Sequence, residues 1–366
     1  MIIGIEAERA NLPQKTGVEV YAAQLIKYLS RIDQKNQYVL YFRTNPQQWF
    51  YELPKNFKLK VMPFTKFWTQ LRLSWEMLWH PVDCLLILAS VLPFIHPKNS
   101  VFTAHDIAWK FFPGAFTPFM RRYLEFSTKF AARNAARIIA VSQATKNDLI
   151  KCYDLEPEKV EVIHLAMGGQ FRPQSYQQAQ PTLDKYSLTY QKYLLFVGTL
   201  QPRKNLLRLL DAYALLKNKY HLEEKLVIVG KRGWLWEPIE AKIKTTAGAV
   251  YLDHVGDEDL PAIIAGASLL ALPALYEGFG LPPLEAMASG VPVAVSNVSS
   301  LPEVVGDAGV LVDPNSIDSI ADGLLKVLTD KNLRGQMIQR GLEQARKFSW
   351  ENTAKQTLRV LENIKS

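Results

Sequence analysis

The sequence predicts an α/β protein built from two Rossmann-like, doubly wound domains. Three observations lead to this prediction. The chain has 366 residues, which is long for one domain, and a hydrophobic content of 48%, which is enough for two cores. Short apolar segments also alternate with longer helical patterns through both halves, as in parallel sheets whose two faces are covered by helices.

Six apolar segments in the first half are predicted to be strands of one parallel sheet. Helical patterns fall between them, over residues 18–30, 118–134 and 142–153, and Ser142 is a suitable N-cap for the last of these helices. The predicted strands are MIIGI at the start of the chain, YVLYF from Tyr38, LKVMPF from Leu59, CLLILA from Cys84, SVFTAHD from Ser100 and RIIAVS from Arg137.

The second half repeats this alternation after a change in composition. Residues 173–191 are rich in Gln, Pro and other polar residues, and we predict an interdomain linker there, between a first domain, 1–172, and a second domain, 192–347. An amphipathic helix is predicted over the last residues, 348–366. The predicted strands of the second domain are KYLLFVG, KLVIVG, VYLDHVG, SLLALP, PVAVS and GVLVD.

The positive charge of the chain is concentrated in its first half. The formal net charge is +8, and residues 1–150 contain 19 Lys and Arg against 10 Asp and Glu. Such an excess suits an anionic bilayer, an acceptor that carries phosphate, or nucleic acid, and it is also compatible with a solvated basic face. Since zinc-finger spacing, an aromatic RNP-like strand and a compact basic helix are all missing from the sequence, we expect no nucleic-acid partner.

The sequence also bears on location and redox state. The opening MIIGIEAERA lacks the features of a secretory signal, so we expect a cytoplasmic protein. The most apolar stretch, which starts at Val82, is interrupted by Asp83 and by prolines and is shorter than the ~20 apolar residues of a membrane span. Cys84 and Cys152 lack metal-ligand spacing and are expected to be reduced thiols.

Two adjacent cations follow the first predicted strand of the second domain. That strand ends at Gly198, a helix is expected to begin near Asn205, and Arg203 and Lys204 lie between them. Cations beside the unpaired amides of a helix start favour a diphosphate through point charge and helix dipole. The alternative is an Arg-Lys pair that faces solvent in a turn.

A second group of polar residues lies in the segment ALYEGFGLPPLEAMASG. Gly278 and Gly280 allow close approach of the backbone to a ligand, and prolines mark the start of a helix. Glu277 and Glu285 lie before and inside that helix, where two carboxylates can accept hydrogen bonds from the vicinal hydroxyls of a ribose and a hexose. A glycosidase pair of carboxylates and simple dipole-satisfying acids are the alternatives.

With these residues the chain resembles the retaining glycosyltransferases of family 4, over nearly its whole length. The resemblance implies a GT-B fold, in which two domains face each other across a cleft and the C-terminal helix crosses back to the first domain. It implies that Glu277 contacts the donor sugar, that Glu285 contacts the nucleotide ribose, and that backbone atoms at Val255 contact the base. The donor-binding set that follows is Gly17, Gly198, Arg203, Lys204, Val255, Glu277, Gly278, Phe279, Gly280, Leu281 and Glu285.

The first domain matches the same family at two places. The segment TGVEVYAAQLI is similar to the family's glycine loop, which implies that Gly17 lies near the donor phosphate, although Thr16 stands where the family often has a second glycine. His105 in TAHDIAW matches the family's His-Asp element and is implied to touch the transferred sugar, with Asp106 orienting the loop. Independently, a histidine at the carboxyl end of a parallel strand is expected to face the ligand.

We expect no catalytic metal and no other cofactor. Asp257-Glu258-Asp259 fits the Asp-x-Asp string of metal-dependent sugar transferases by letter, but helix capping explains its aspartates. Arg203, Lys204 and the helix start would then stabilise the departing diphosphate.

The predicted activity is retaining transfer of a hexose from a nucleoside diphosphate sugar to a hydroxyl of a glycan or lipid-linked acceptor in polysaccharide biosynthesis. His105, Lys204 and Glu277 are the expected catalytic residues. The form GTLQPRKN is similar to mannosyltransferases that use GDP-mannose, and a UDP-sugar donor remains open. A nucleotide-sugar epimerase and a non-catalytic nucleotide-sugar-binding protein are the two competing hypotheses.

An aromatic segment in the first domain bears on membrane contact. KFWTQLRLSWEMLWH places Trp68, Trp75 and Trp79 with Arg72 at near-helical spacing. The segment is either an interfacial helix that touches an anionic membrane or an aromatic helix that packs on the sheet. The first interpretation predicts peripheral association with the inner face of the membrane.

Overall fold

The structure is a computed structural model that describes residues 1–13 and 16–364. The chain divides into two compact units. Unit 1 comprises the described residues of Met1–Phe111, Thr117–Leu165 and Ser349–Ser366, and unit 2 comprises Phe112–Phe116 and Ala166–Phe348.

Unit 1 contains a parallel sheet with the strand order β3-β2-β1-β4-β5-β6-β7. The six strands predicted for the first half are confirmed. β7 was not predicted, because it has three residues and an exposed glutamate, Glu161, at its centre. The strands are β1 (Ile2–Glu6), β2 (Gln37–Phe42), β3 (Phe57–Val61), β4 (Cys84–Ile87), β5 (Ser100–Ala104), β6 (Arg137–Ala140) and β7 (Val160–Val162).

Helices cover the unit 1 sheet as crossover connections between its parallel strands. The predicted cap is confirmed, since Ser142 Oγ accepts a hydrogen bond of 3.0 Å from the Thr145 amide. A π-helical turn, Thr69–Leu73, runs directly into the second helix. The helices are α1 (Gly17–Ile32), α2 (Ser74–Trp79), α3 (Ala108–Phe111), α4 (Pro118–Asn134) and α5 (Gln143–Tyr153).

Unit 2 contains a second parallel sheet, with the order β10-β9-β8-β11-β12-β13. Its strands are those predicted, β8 (Tyr193–Val197), β9 (Lys225–Val229), β10 (Ala249–Tyr251), β11 (Leu269–Leu272), β12 (Val293–Ser296) and β13 (Gly309–Val312). Its helices are α6 (Tyr176–Lys185), α7 (Leu206–Tyr220), α8 (Glu237–Thr245), α9 (Leu260–Ala265), α10 (Leu281–Ala288), α11 (Leu301–Val305), α12 (Ile317–Thr329) and α13 (Lys331–Ala345).

The stretch predicted as a linker, 173–191, contains helix α6 of unit 2. Its polar composition conceals an amphipathic pattern, because Ala179 and Leu183 are buried. Ser175 and Gln178 form a capping box at its start, which stabilises the helix despite an internal proline.

The terminal helix α14 (Trp350–Glu362) belongs to unit 1, as the resemblance implied. It packs against α1, and the Thr353 hydroxyl donates a hydrogen bond of 2.8 Å to the His164 carbonyl. None of the helices within residues 1–13 and 16–364 is long and apolar enough to cross a membrane.

The strand order reverses at one point in each sheet. This switch point lies between β1 and β4 in unit 1 and between β8 and β11 in unit 2. In open parallel sheets, ligands bind outside the carboxyl ends of the strands that flank such a point. The residues that follow β8 and β11 are therefore where a ligand of unit 2 is expected.

Candidate functional site

The segments that follow β8 and β11 meet at the switch point of unit 2. The Leu275 amide donates a hydrogen bond of 2.8 Å to the Arg203 carbonyl, which joins the two segments. Lys204 Nζ forms an ion pair with Glu277 Oε1, and Arg203 Nη1 lies 3.4 Å from Glu277 Oε2. Three residues predicted for the donor site are thus brought into one cluster.

This cluster buries its charges. The Lys204 and Glu277 side chains are 10% and 8% exposed, and that of Arg203 is 16% exposed. Burial alone would raise the pKa of Glu277, but Lys204 and Arg203 hold it below its usual value. The carboxylate is therefore ionised, and it lies against two cations, Lys204 and Arg203.

Asn205, the residue after Lys204, anchors the end of this segment, and its sequence context indicated only a helix start. Its backbone is left-handed, with φ of 61°. Its side-chain amide donates hydrogen bonds of 2.8 Å to the Pro273 carbonyl and 2.6 Å to the Pro314 carbonyl. Asparagine is enriched in this conformation, so the Asn that follows Arg-Lys was the available sequence signal.

Glycines allow close approach of the backbone at the ends of β8 and β9. A Cβ added to Gly230, whose φ is +146°, would lie 2.1 Å from the Gly198 carbonyl oxygen. A Cβ on Gly198 would meet Lys204 Cε at 3.5 Å. The predicted residue Gly198 therefore lies beside the Lys204 side chain.

The glycine turn that follows Glu277 is held by two serines that the sequence pattern did not indicate. Ser299 Oγ donates a hydrogen bond of 2.6 Å to the Glu277 carbonyl, and Ser300 Oγ lies 2.7 Å from the Phe279 carbonyl oxygen, to which it donates. Gly280 has φ of +109°, and a Cβ there would meet Leu301 Cδ2 at 2.7 Å. This position accordingly requires glycine.

Helix α10 begins at Leu281, immediately after this turn. A helix start leaves four N–H positions without an intrahelical acceptor. Since Pro282 and Pro283 have no N–H, the amides of this start belong to Gly280 and Leu281. The Phe279 ring is buried and lies edge-on to Phe348, with 5.8 Å between the ring centroids. Phe279 therefore contributes to the glycine turn through its backbone.

Glu285 lies in α10, in an environment unlike that of Glu277. The side chain is partly buried, and burial together with the nearby Asp257 carboxylate raises the pKa of Glu285 to about 8. The raised pKa favours the protonated form of this carboxyl group at neutral pH. The two predicted carboxylates thus differ in charge.

The structure corrects the capping role assigned to Asp259. Its carboxylate accepts hydrogen bonds of 2.9 Å from both Lys185 and Tyr186, and it makes no side-chain cap to α9. The sequence prediction was wrong because both partners lie on the unpredicted end of α6. Asp257 and Glu258 are exposed, whereas Val255, the predicted base contact, is buried in the same loop.

Gly17 and His105 belong to unit 1. Gly17 is the first residue of α1, where the Thr16 amide donates a hydrogen bond of 3.0 Å to the Glu19 carboxylate. His105 follows β5; its Nε2 lies 3.1 Å from the Leu88 carbonyl oxygen, and its ring packs edge-on against Tyr21 of α1. Burial lowers the pKa of His105, so the imidazole is neutral at neutral pH.

Asp106 orients the loop after β5, as expected. Its carboxylate accepts a hydrogen bond of 3.0 Å from the Ala108 amide, which starts α3. Tyr21 in turn is fixed by a hydrogen bond of 2.9 Å between its hydroxyl and that of Thr103. His105 is thus held between two tied elements of unit 1.

A cavity of about 330 Å³ opens in unit 1 beside the carboxyl ends of β1 and β2. Its lining combines the charged residues Glu6, Arg9 and Arg43 with the aromatic residues Trp68 and Tyr123. Burial raises the pKa of Glu6 to about 7, while Arg9 opposes that shift. Sequence reasoning missed this cavity, because its walls come from segments far apart in the chain.

Two family models match the chain. "Glycosyltransferase Family 4" matches residues 15–166 and "Glycosyl transferases group 1" matches residues 183–344. The chain is 41% identical over 266 residues to O-antigen chain mannosyltransferase B of Escherichia coli, a match that covers 71% of this chain and 69% of that protein.

Solved structures share the fold over the full length. Sucrose-phosphate synthase from Thermosynechococcus elongatus superposes with a TM-score of 0.78 at 17% identity, covering 99% of this chain and 98% of that one. Anabaena HepE in complex with UDP-glucose gives a TM-score of 0.75 at 18% identity, covering 99% of each chain. Both likenesses support the GT-B fold predicted from the sequence.

Proposed function

The chain belongs to glycosyltransferase family 4, and from this premise we propose that it transfers mannose from GDP-mannose, with retention, to a hydroxyl of a glycan or lipid-linked acceptor. Mannose is favoured by the similarity to an O-antigen chain mannosyltransferase, and the acceptor class follows from the same relative. Polysaccharide biosynthesis is the corresponding process.

The observation that carries this proposal is the charged cluster at the unit 2 switch point. Arg203 and Lys204 are positioned by hydrogen bonds and ion pairs before any ligand arrives. A diphosphate carries the negative charge that a pair of adjacent cations binds. Because the cations are already desolvated and oriented, little reorganisation accompanies the departure of the diphosphate in the transition state.

Each further donor residue has a distinct proposed role. The amides of Gly280 and Leu281 would hold phosphate or sugar oxygens, Glu277 would contact the hexose, and backbone atoms at Val255 would contact the base. Gly278 and Gly198 keep side chains out of this space. No metal ion or other cofactor is needed in this scheme, because Arg203 and Lys204 stabilise the leaving diphosphate.

Glu285 would bind the ribose. A carboxylate accepts hydrogen bonds from both vicinal hydroxyls, whereas the protonated form accepts at one oxygen and donates at the other. Since the pKa of Glu285 in the structure is about 8, ribose hydroxyls that donate to it would favour its ionisation. Donor affinity is therefore expected to rise with pH toward 8.

The acceptor would bind to unit 1, where the cavity lined by Glu6 and Trp68 provides polar groups and an aromatic surface for a sugar. His105, neutral and fixed by Leu88 and Tyr21, would contact the transferred mannose, and Gly17 would lie near the donor phosphate. The acceptor hydroxyl would attack the anomeric carbon on the face from which the diphosphate leaves, and the leaving phosphate oxygen would take its proton.

The proposed location is the cytoplasm, with peripheral contact at the inner face of an anionic membrane when the acceptor is lipid-linked. No nucleic-acid partner is proposed. UDP-glucose is the second donor candidate, because Anabaena HepE has been solved with it.

The test is product analysis by NMR. GDP-α-mannose and mannose-containing acceptors are incubated with the protein in EDTA, and the new anomeric signal is assigned. An α-linked product formed without metal is expected. A β-linked product contradicts retention, transfer from UDP-glucose alone contradicts the donor assignment, and dependence on added metal contradicts the role of the two cations.

A further inference from the structure

One surface of unit 1 exposes large apolar side chains from three neighbouring segments. On the helix formed by the π-helical turn and α2, Leu71, Trp75, Leu78 and Trp79 share one face, and Trp75 and Trp79 are 60% and 63% exposed. Trp68, by contrast, is buried and donates a hydrogen bond of 2.7 Å to the Met62 carbonyl. The aromatic segment therefore has one packed face and one uncovered face.

The two other segments lie beside this helix. The Ile95 amide donates a hydrogen bond of 3.2 Å to Ser74 Oγ of α2, which attaches the loop before β5. In the same loop, Phe94 contacts Phe126 of α4, with ring centroids 6.4 Å apart. Phe119, two turns before Phe126 in α4, is 72% exposed. We name the exposed residues Leu71, Trp75, Leu78, Trp79, Phe94, Ile95, Phe119, Met120 and Phe126 the aromatic face.

The segments that form the aromatic face carry mainly basic residues. Residues 64–80, 94–98 and 117–130 contain two acidic residues, and both are ion-paired: Glu76 with Lys60 and Arg72, and Glu125 with Lys110. The same segments carry exposed cations that include Arg121, Arg122, Lys66, Lys98 and Lys129. An apolar surface ringed by basic residues complements an anionic lipid bilayer.

We infer that the aromatic face docks this protein on an anionic lipid bilayer. The aromatic and aliphatic side chains enter the boundary between headgroups and acyl chains, while Arg121 and Arg122 contact lipid phosphates. A second copy of the chain is disfavoured as the occupant, because two basic faces repel each other. The inference rests on the proposed function in one respect, because docking would give the protein access to a lipid-linked acceptor. Vesicle binding itself needs neither donor nor acceptor.

Flotation of the full chain with lipid vesicles tests this inference. Vesicles of phosphatidylcholine alone are compared with vesicles that also contain phosphatidylglycerol. The wild type is expected to float with the anionic vesicles and to be released by high salt. Trp75→Ala/Trp79→Ala should weaken binding by about tenfold or more, because two large apolar groups no longer enter the bilayer. Arg121→Glu/Arg122→Glu should also weaken it by about tenfold or more.

Two matched controls separate the aromatic face from general effects. Trp234→Ala removes an exposed tryptophan of unit 2, and Lys219→Glu/Lys331→Glu makes the same change in net charge on unit 2. Both should bind vesicles as the wild type does, and circular dichroism should show every variant folded.

Several outcomes overturn the inference. The inference is wrong if the folded wild type stays in the soluble fraction or binds both kinds of vesicle equally. It is also wrong if binding survives the tryptophan substitutions, or if the unit 2 controls lose as much vesicle binding as the variants of the aromatic face. Dimerisation in sedimentation that Trp75→Ala/Trp79→Ala abolishes, without vesicle binding, would instead identify a protein contact. Donor binding measured without vesicles is unaffected by any of these results, so failure here is distinguishable from failure of the proposed function.

Discussion

The two sheets share one kind of strand order, yet the carboxyl ends of their strands carry different chemistry. In unit 2 a buried ion-pair cluster of Arg203, Lys204 and Glu277 follows β8 and β11. In unit 1 a neutral histidine, His105, follows β5, and a cavity with aromatic walls lies beside β1 and β2. Strand order in an open parallel sheet indicates where a ligand is expected, and the loops at those places give the two units different chemistry.

Removal of Lys204 is predicted to have the largest effect and to sharpen this contrast. Lys204→Ala should lower turnover on the order of 10²-fold or more, because the leaving diphosphate loses a preorganised cation. Lys242→Ala is the matched control. It breaks a surface ion pair of 2.6 Å with Asp211 and should leave turnover within about twofold of the wild type. Steady-state kinetics with GDP-mannose measures both.

The buried Glu277 loses its closest cation in Lys204→Ala, so thermal unfolding must confirm that the variant is folded. Arg203→Ala provides a second variant, because that side chain is more exposed and its loss disturbs packing less. About a tenfold loss of turnover is expected for it. Full activity in a folded Lys204→Ala protein would remove the diphosphate role from the cluster.

Substitutions of Asn205 test how unit 2 positions the segment that carries Arg203 and Lys204. Asn205→Gly keeps the left-handed backbone but loses both hydrogen bonds to buried carbonyls, at a cost of about 2–3 kcal/mol in the free energy of unfolding. Asn205→Ala should cost about 1 kcal/mol more, because a Cβ is strained at positive φ. Urea unfolding compares the two variants. Equal stability of the alanine and glycine variants would contradict the backbone strain, and wild-type stability in both would contradict the anchoring role.

A further effect, which depends on pH, comes from buried carboxyl groups, one in each unit. The pKa of Glu285 is raised to about 8 and that of Glu6 to about 7, from 4.5. Between pH 4.5 and its pKa in the folded protein, each group is protonated in the folded protein and ionised in the unfolded chain. The stability they contribute is complete below pH 4.5 and is lost as the pH rises through the folded pKa, by up to about 1.4 kcal/mol per pH unit for each group.

Replacement by glutamine removes this pH dependence. The stability of Glu285→Gln relative to the wild type should rise between pH 4.5 and 8, and that of Glu6→Gln between pH 4.5 and 7. Glu223→Gln, a change at an exposed glutamate of unit 2, is the matched control. Denaturant unfolding across this range measures the difference, and parallel profiles for all four proteins would contradict the raised pKa values.

Much of the fold and part of the site were predictable from the sequence. Apolar runs that end in glycine located the carboxyl ends of β8 and β9, and Arg203, Lys204 and Glu277 were each predicted as donor-site residues. These inferences depend on periodicity and on residues close in sequence, which the sequence displays directly.

The missed features depend on partners that are distant in the chain. Ser300 acts on the glycine turn through tertiary hydrogen bonds, and Asp259 pairs with α6 rather than capping its own helix. Helical spacing grouped Trp68 with Trp75 and Trp79, but which face is covered depends on the packing around Met62 and α4. Periodicity identifies the faces of a helix and leaves open what covers each of them.

Isothermal titration of the protein with GDP-mannose in EDTA is the decisive experiment for the donor site of unit 2. We expect saturable binding without metal, stronger for GDP-mannose than for UDP-glucose, strengthened from about pH 6 to about pH 8, and lost in folded Lys204→Ala and Glu285→Ala proteins. A folded wild type that binds neither nucleotide sugar, or binds one equally well after both substitutions, would show that the charged cluster is not a donor site.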